Sequence, residues 1–134
     1  MADPIIPVVT PELEPFFAAA REGRLVVQRC LSCGQLRFPA RNLCSDCLST
    51  DSEWTSVCGR GAVYSFFWMH QVYHPAFADE VPYPVVVVEL EEGPRMTTNL
   101  QGCTRDTLHV GLPVEVFFEQ RGDVRLPQFR PRAV

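Results

Sequence analysis

The spacing of apolar positions changes twice along this chain. Leu13, Phe16, Phe17 and Ala20 fall at i, i+3, i+4 and i+7, which is one face of a helix. Thr10 can cap such a helix and Pro11 fits its first position. Pro15 removes a backbone donor, so it offers a later start, and Gly23 is a stop. Residues 1–10, with Pro4 and Pro7, read as extended. From Leu25 to about Trp54 the helical spacing is lost. Short apolar pieces, Leu25-Val26-Val27 and Leu36-Arg37-Phe38-Pro39, flank paired cysteines, which is the pattern of short hairpins around a metal. From Gly59 onward the chain reads as strands, expected over 62–72, 83–91, 95–100, 113–119 and 126–129. Gly93-Pro94, Gly102, Gly111 and Gly122 punctuate them.

Five strands in roughly seventy residues suit a small barrel of the oligonucleotide/oligosaccharide-binding (OB) type. A small open sandwich is the competing architecture. The expectation is a mainly β protein in three parts: an extended segment and helix over 1–24, a metal-holding ribbon over 25–58, and the barrel over 59–134. At 134 residues, modules this small need a metal or a partner to supplement their cores. The first barrel strand alternates Tyr64, Phe66 and Trp68 with Val63, Phe67 and Met69. One face fills the core, so the other is expected to stand exposed. It can stack on bases or bury against a protein.

Charge separates these two uses. The chain has twelve arginines, no lysine and a net charge of −4, with only a mild basic cluster at Arg121, Arg125, Arg130 and Arg132. Nucleic-acid binders draw most of their affinity from basic side chains on phosphates. The balance therefore favours a protein surface or an apolar acyl ligand. A module binding single-stranded nucleic acid through the barrel is the alternative. The N-terminus lacks the pattern of a signal peptide, and no apolar run approaches the ~18 residues of a membrane span. The expected location is the cytoplasm, where thiols stay reduced.

That setting decides how the cysteines are read. Cys30-Leu31-Ser32-Cys33 and Cys44-Ser45-Asp46-Cys47 are two C-x-x-C pairs separated by ten residues. Two residues between cysteines let both thiolates of a tight turn face one ion, and Gly34 suits the backbone that turns back beneath them. Two such turns make a tetrahedral four-sulfur site, which zinc prefers; iron in the same geometry stays open. Four thiolates fill the shell and leave no position for water, so the ion is expected to be structural. Cys58 and Cys103 read as small buried hydrophobes. His74 with Asp79 or Glu80 is an acid/base candidate, weighed against a loop that docks on a partner or on the barrel. No phosphate-binding glycine loop, serine triad elbow or HExxH pattern occurs. No catalytic residue is assigned.

The order of motifs resembles a known family. The residues that carry the likeness are Phe16-Phe17 ahead of Gly23-Arg24-Leu25, Cys30-x-x-Cys33-Gly34, Phe38-Pro39-Ala40-Arg41 and Cys44-x-x-Cys47. Trp54, Gly59-Arg60-Gly61-Ala62-Val63-Tyr64-Ser65, Tyr73-His74-Pro75-Ala76-Phe77 and Pro82-Tyr83-Pro84-Val85 follow. The turn from Glu89 to Gly93, Gly111-Leu112-Pro113-Val114 and Pro127-Gln128-Phe129-Arg130-Pro131 complete it. Together they are similar to small proteins with a rubredoxin-like zinc ribbon and an OB-fold, formerly called a domain of unknown function. The resemblance implies structural Zn²⁺ on Cys30, Cys33, Cys44 and Cys47. It implies an accessory subunit, not an enzyme by itself, in a hetro-oligomer with a thiolase-like enzyme acting on acyl-CoA. Such assemblies include the acetoacetyl-CoA thiolase/HMG-CoA synthase complex, phloroglucinol acetyltransferase and lipid-transfer-protein-like steroid side-chain aldolases. In that setting the chain can help shape a CoA tunnel shared with its partner. Phe16, Phe17, Tyr73, His74, Phe77 and Tyr83 are the candidate interface or ligand-loop residues. Leu48 departs from the plainest pattern, in which a second glycine follows the second cysteine pair.

Overall fold

The helix begins later than Thr10. In the computed structural model, which describes residues 5–133, α1 spans Glu14–Arg21 with Leu13 as its cap. Thr10 instead closes a turn, its carbonyl accepting the Leu13 amide at 3.0 Å. Pro15 then sits in the first helical turn, where its missing N–H would have had no intrahelical acceptor. Gly23, at φ 77°, lets the chain reverse, and the Arg24 amide returns to the Ala19 carbonyl at 2.9 Å. The extended reading of residues 1–4 lies outside the described residues.

The helical face is used inside the chain. Phe16 and Phe17 pack edge-to-face with centroids 5.3 Å apart, and Phe16 also lies 5.7 Å from Phe38 and 6.3 Å from Trp54. Only 8% and 6% of these two phenylalanines is exposed. As interface candidates they are corrected to core residues. Burying such rings against water stabilises by about 1.5–3 kcal/mol each, which favours covering the ribbon over standing open for a partner.

The ribbon is a three-stranded antiparallel sheet, β1 (Leu25–Cys30), β2 (Leu36–Arg37) and β3 (Ser52–Val57), in the order β2-β1-β3. Leu25, Val26 and Val27 are all buried, so β1 is covered on both faces. They join α1 and the barrel residues Val63, Val88 and Phe129 in one continuous core.

The barrel strands are β4 (Arg60–Met69), β5 (Tyr83–Leu90), β6 (Arg95–Asn99), β7 (Pro113–Arg121) and β8 (Val124–Pro131), ordered β6-β5-β4-β7-β8. A parallel bridge between Leu100 and Phe129 joins the two ends and closes the OB-type barrel. Val86, Val88, Val114 and Phe129 inside it have no exposed surface. Gly61 lies where β4 crosses β5 so closely that a Cβ would meet the Glu89 carbonyl and Val88.

The aromatic strand departs from simple alternation. β4 pairs with β7 only over Arg60, Gly61 and Ala62, whereas it pairs with β5 as far as Met69. A bulge between Val63 and Ser65 inserts Tyr64 as an extra residue and resets the faces. Past it, Phe66 and Phe67 are neighbours in sequence and both exposed, at 37% and 52%, with Tyr64 at 48%. Trp68 and Met69 are half-buried. Phe67 therefore does not fill the core with Val63 as alternation implied. By that point β4 has lost β7 on one side and runs as an arm paired only with β5, which itself pairs with β6 as far as Val85–Asn99.

Candidate metal centre

Two turns of matching geometry bring the four C-x-x-C cysteines together. The first leaves the end of β1: the Gly34 amide donates to the Cys30 carbonyl at 2.8 Å, and the Cys30 amide to the Gln35 carbonyl at 2.9 Å. In the second, the Leu48 amide donates to the Cys44 carbonyl at 3.0 Å and the Cys44 amide to the Ser49 carbonyl at 2.9 Å. Both turns need a left-handed residue at the same place. Gly34 supplies it at φ 78° and Leu48 at φ 63°. Leu48 adopts there the conformation glycine would, at a cost of roughly 1–2 kcal/mol, and the turn survives the substitution.

The four sulfurs lie within 4.8 Å of one another. Cys30 and Cys47 Sγ are 3.5 Å apart, and Cys33 and Cys44 Sγ 3.7 Å. A tetrahedral ion with bonds of about 2.3 Å needs sulfur–sulfur edges of about 3.8 Å. The residues therefore fit a zinc ion. Cys30 and Cys44 are fully buried, and Cys33 and Cys47 are exposed. The Cys33 amide, aimed at the Cys30 sulfur, helps lower its pKa to about 6, and the Cys47 and Asp46 amides lower that of Cys44. Cys33 goes the other way. The Gln35 amide pulls it down, but desolvation and the neighbouring thiols outweigh this and raise it to about 12. Four thiolates in this space repel one another, and a divalent cation removes that conflict. With all four positions taken by sulfur, such an ion has no vacant position for a reacting water.

The histidine candidate is committed elsewhere. His74 Nδ1 accepts the Ala76 amide at 3.0 Å and caps the short 3₁₀ turn Pro75–Phe77. Among the described residues no hydrogen bond or ion pair joins His74 to Asp79 or Glu80, so the acid/base pairing is not formed. Tyr73 is 72% exposed. Phe77 and Tyr83, with centroids 5.7 Å apart, line a 410 Å³ cavity with Asn99, Arg121 and Gln128. Cys58 is exposed, not buried as expected. Desolvation, with Glu91 and Glu92 beside its sulfur, raises its pKa and keeps it a thiol. Cys103 is half-buried against the core.

Four aromatic rings carry arginines, Trp68 among them with Arg105 5.1 Å from its centroid. Arg95 lies 3.7 Å from the centroid of Tyr64, Arg125 5.5 Å from Phe118 and Arg130 5.3 Å from Phe117. One face of each is thereby covered, not open for base stacking. Sequence reasoning passed over Gln28. It is buried at 9% exposure, and its Oε1 accepts both Arg37 Nε at 2.9 Å and the Arg41 amide at 2.8 Å. Its signal was a polar residue closing the apolar run Leu25-Val26-Val27.

The chain matches two family models in tandem. Residues 17–53 match the rubredoxin-like zinc ribbon domain of ChsH2, and residues 54–119 its C-terminal OB-fold domain. Over 117 residues it is 44% identical to a probable enoyl-CoA hydratase alpha subunit of Thermomonospora curvata, covering 87% of this chain and 36% of that protein. It thus spans about a third of that relative's length. A DUF35 domain-containing scaffold protein of Methanocaldococcus jannaschii is 34% identical, over 72% of this chain and 68% of its own length. The benzoylsuccinyl-CoA thiolase subunit BbsA of Thauera aromatica is 28% identical over 98% of this chain and 91% of its own. A chain in the solved structure of an Ltp2-ChsH2(DUF35) aldolase superposes with a TM-score of 0.80 at 40% identity, covering 94% of this chain and 98% of that one.

Proposed function

Because the chain belongs to the DUF35 family, with a ChsH2-type zinc ribbon and OB-fold in tandem, we propose that it is a non-catalytic subunit that docks on and supports a thiolase-like enzyme acting on acyl-CoA. The observation that carries this reading is the arm of β4. Tyr64, Phe66 and Phe67 are exposed on a strand that β7 leaves unpaired beyond Val63. An open strand edge bearing large aromatics invites pairing, and such side chains are enriched in the buried centres of protein interfaces. The names of the relatives support it: one is a thiolase subunit, one a scaffold, and one is solved as part of an aldolase.

The chemistry is assigned to the partner. Cys30, Cys33, Cys44 and Cys47 hold a structural zinc, and His74 is a turn cap. Within the complex, Tyr73, Phe77 and Tyr83 present the loop before β5 to the partner, and the cavity beside Phe77 and Tyr83 helps shape the CoA tunnel. The partner's reaction is retro-aldol cleavage of a steroid side-chain CoA ester, or a thiolase or acyl-transfer step. The complex works in the cytoplasm.

Co-expression with a candidate thiolase-like protein tests the proposal. The two should co-elute, and Phe66→Ser with Phe67→Ser should separate them while leaving the melting temperature of this chain unchanged. If the wild-type chains elute apart, and the partner is soluble and fully active alone, the reading fails.

A further inference from the structure

We infer that the pocket between the ribbon and the β5–β6 turn is a binding site for a phosphate group carried by a small-molecule ligand. The pocket is a shallow, open groove of about 330 Å³ lined by Arg37, Arg41 and Arg95, with Gln35 and Ser45 also on its wall. No carboxylate lines it. Such an arrangement is costly in a chain of net charge −4 with sixteen acidic residues, because like charges held together repel unless an anion lies between them. Arg37 and Arg41 form no ion pair with any carboxylate among the described residues.

The Arg37 guanidinium and the Arg41 backbone are held in place. Buried Gln28 accepts Arg37 Nε at 2.9 Å and the Arg41 amide at 2.8 Å, and Arg37 Nη2 donates to the Arg41 carbonyl at 3.0 Å. This leaves Arg37 Nη1 buried without an acceptor. From the barrel side, Arg95 lies over Tyr64, its guanidinium carbon 3.7 Å from the ring centroid, and donates its Nε to Glu89 at 3.1 Å. The planar guanidinium groups of Arg37 and Arg95, fixed by these contacts, suit the oxygens of a phosphate, which accept paired hydrogen bonds, and the exposed Arg41 side chain is free to close on the same group. The Ser45 hydroxyl and the Gln35 amide nitrogen add neutral donors. The ribbon and the barrel each contribute part of the site, so it exists only when both are folded.

The arginines have one competing role, to offset the negative charge of the neighbouring thiolate cluster. The experiment separates the two. The zinc-loaded full-length chain is titrated calorimetrically at low salt with coenzyme A, with pantetheine, which has the same arm but no phosphate, and with inorganic phosphate. Coenzyme A is chosen because of the acyl-CoA reading; inorganic phosphate is independent of it. Coenzyme A should bind and pantetheine should not. Arg41→Gln and Arg95→Gln should each weaken binding by roughly tenfold or more, with zinc content unchanged. If inorganic phosphate binds and coenzyme A cannot displace it, the site stands and its occupant is a free oxyanion. Absence of binding by both phosphate probes, equal affinity in the two variants, or zinc loss in those variants overturns the inference. The partner test is separate: phosphate binding without co-elution removes only the docking role, and co-elution without phosphate binding removes only this site.

Discussion

The ribbon and the barrel hold their shape by different means. The metal end of the ribbon, from Cys30 to Ser49, has few buried apolar side chains. Its order comes from paired turn hydrogen bonds and from four sulfurs within 4.8 Å. The barrel closes its sheet through the Leu100–Phe129 bridge and fills the inside with branched and aromatic side chains. One end should respond to removal of a metal and the other to removal of a methyl group. β1 ties them together, because Val26 and Val27 lie in the same core as Phe129.

Removing the metal should produce the largest break between the two regions. Zinc at a four-thiolate site contributes on the order of 10 kcal/mol to folding. Exhaustive chelation should therefore abolish hydrogen-exchange protection over 25–57, while Val86 and Val88 keep part of theirs. An unchanged thermal melt after verified metal loss would contradict this. The converse change is Phe129→Ala. It empties the barrel centre and should lower stability by about 3–5 kcal/mol in urea titration, without loss of zinc. Zinc loss in that variant would mean that the two regions are less separable than their cores imply. A smaller effect is expected at the β4–β5 crossing. Gly61→Ala forces a methyl group against the Glu89 carbonyl and Val88, costing about 1–3 kcal/mol, again with the metal retained. The smallest change should be favourable and confined to the ribbon. Leu48→Gly relieves a left-handed leucine that is 68% exposed, so the fold should gain up to about 1 kcal/mol, read as slower zinc transfer to a competing chelator. Faster transfer would show that the leucine side chain braces its turn.

Features set by neighbours in sequence were legible in the chain. The C-x-x-C spacing carries its own geometry, because a two-residue gap directs both sulfurs to one side of a turn. The strands from residue 83 onward follow from alternation and from glycine punctuation. Helix α1 was legible by face but not by start, since Thr10 and Pro11 offer a cap as good on paper as the one used. Phe16 and Phe17 were read as a surface because nothing local says that Phe38 and Trp54 will meet them. The bulge at Tyr64 was also invisible. It depends on where β7 stops pairing with β4, and that is fixed by residues some fifty positions away.

By itself the sequence determined the thiolate set, the strand content and the absence of a basic excess. All three follow from residue type and short spacing. Only the tertiary structure decided that Phe16 and Phe17 are core, that the aromatic arm is open, that His74 is a cap, and that Arg37 and Arg41 meet Arg95 around one pocket. Burial and charge proximity depend on which distant elements close together, and loop closure sets that without leaving a local pattern to read.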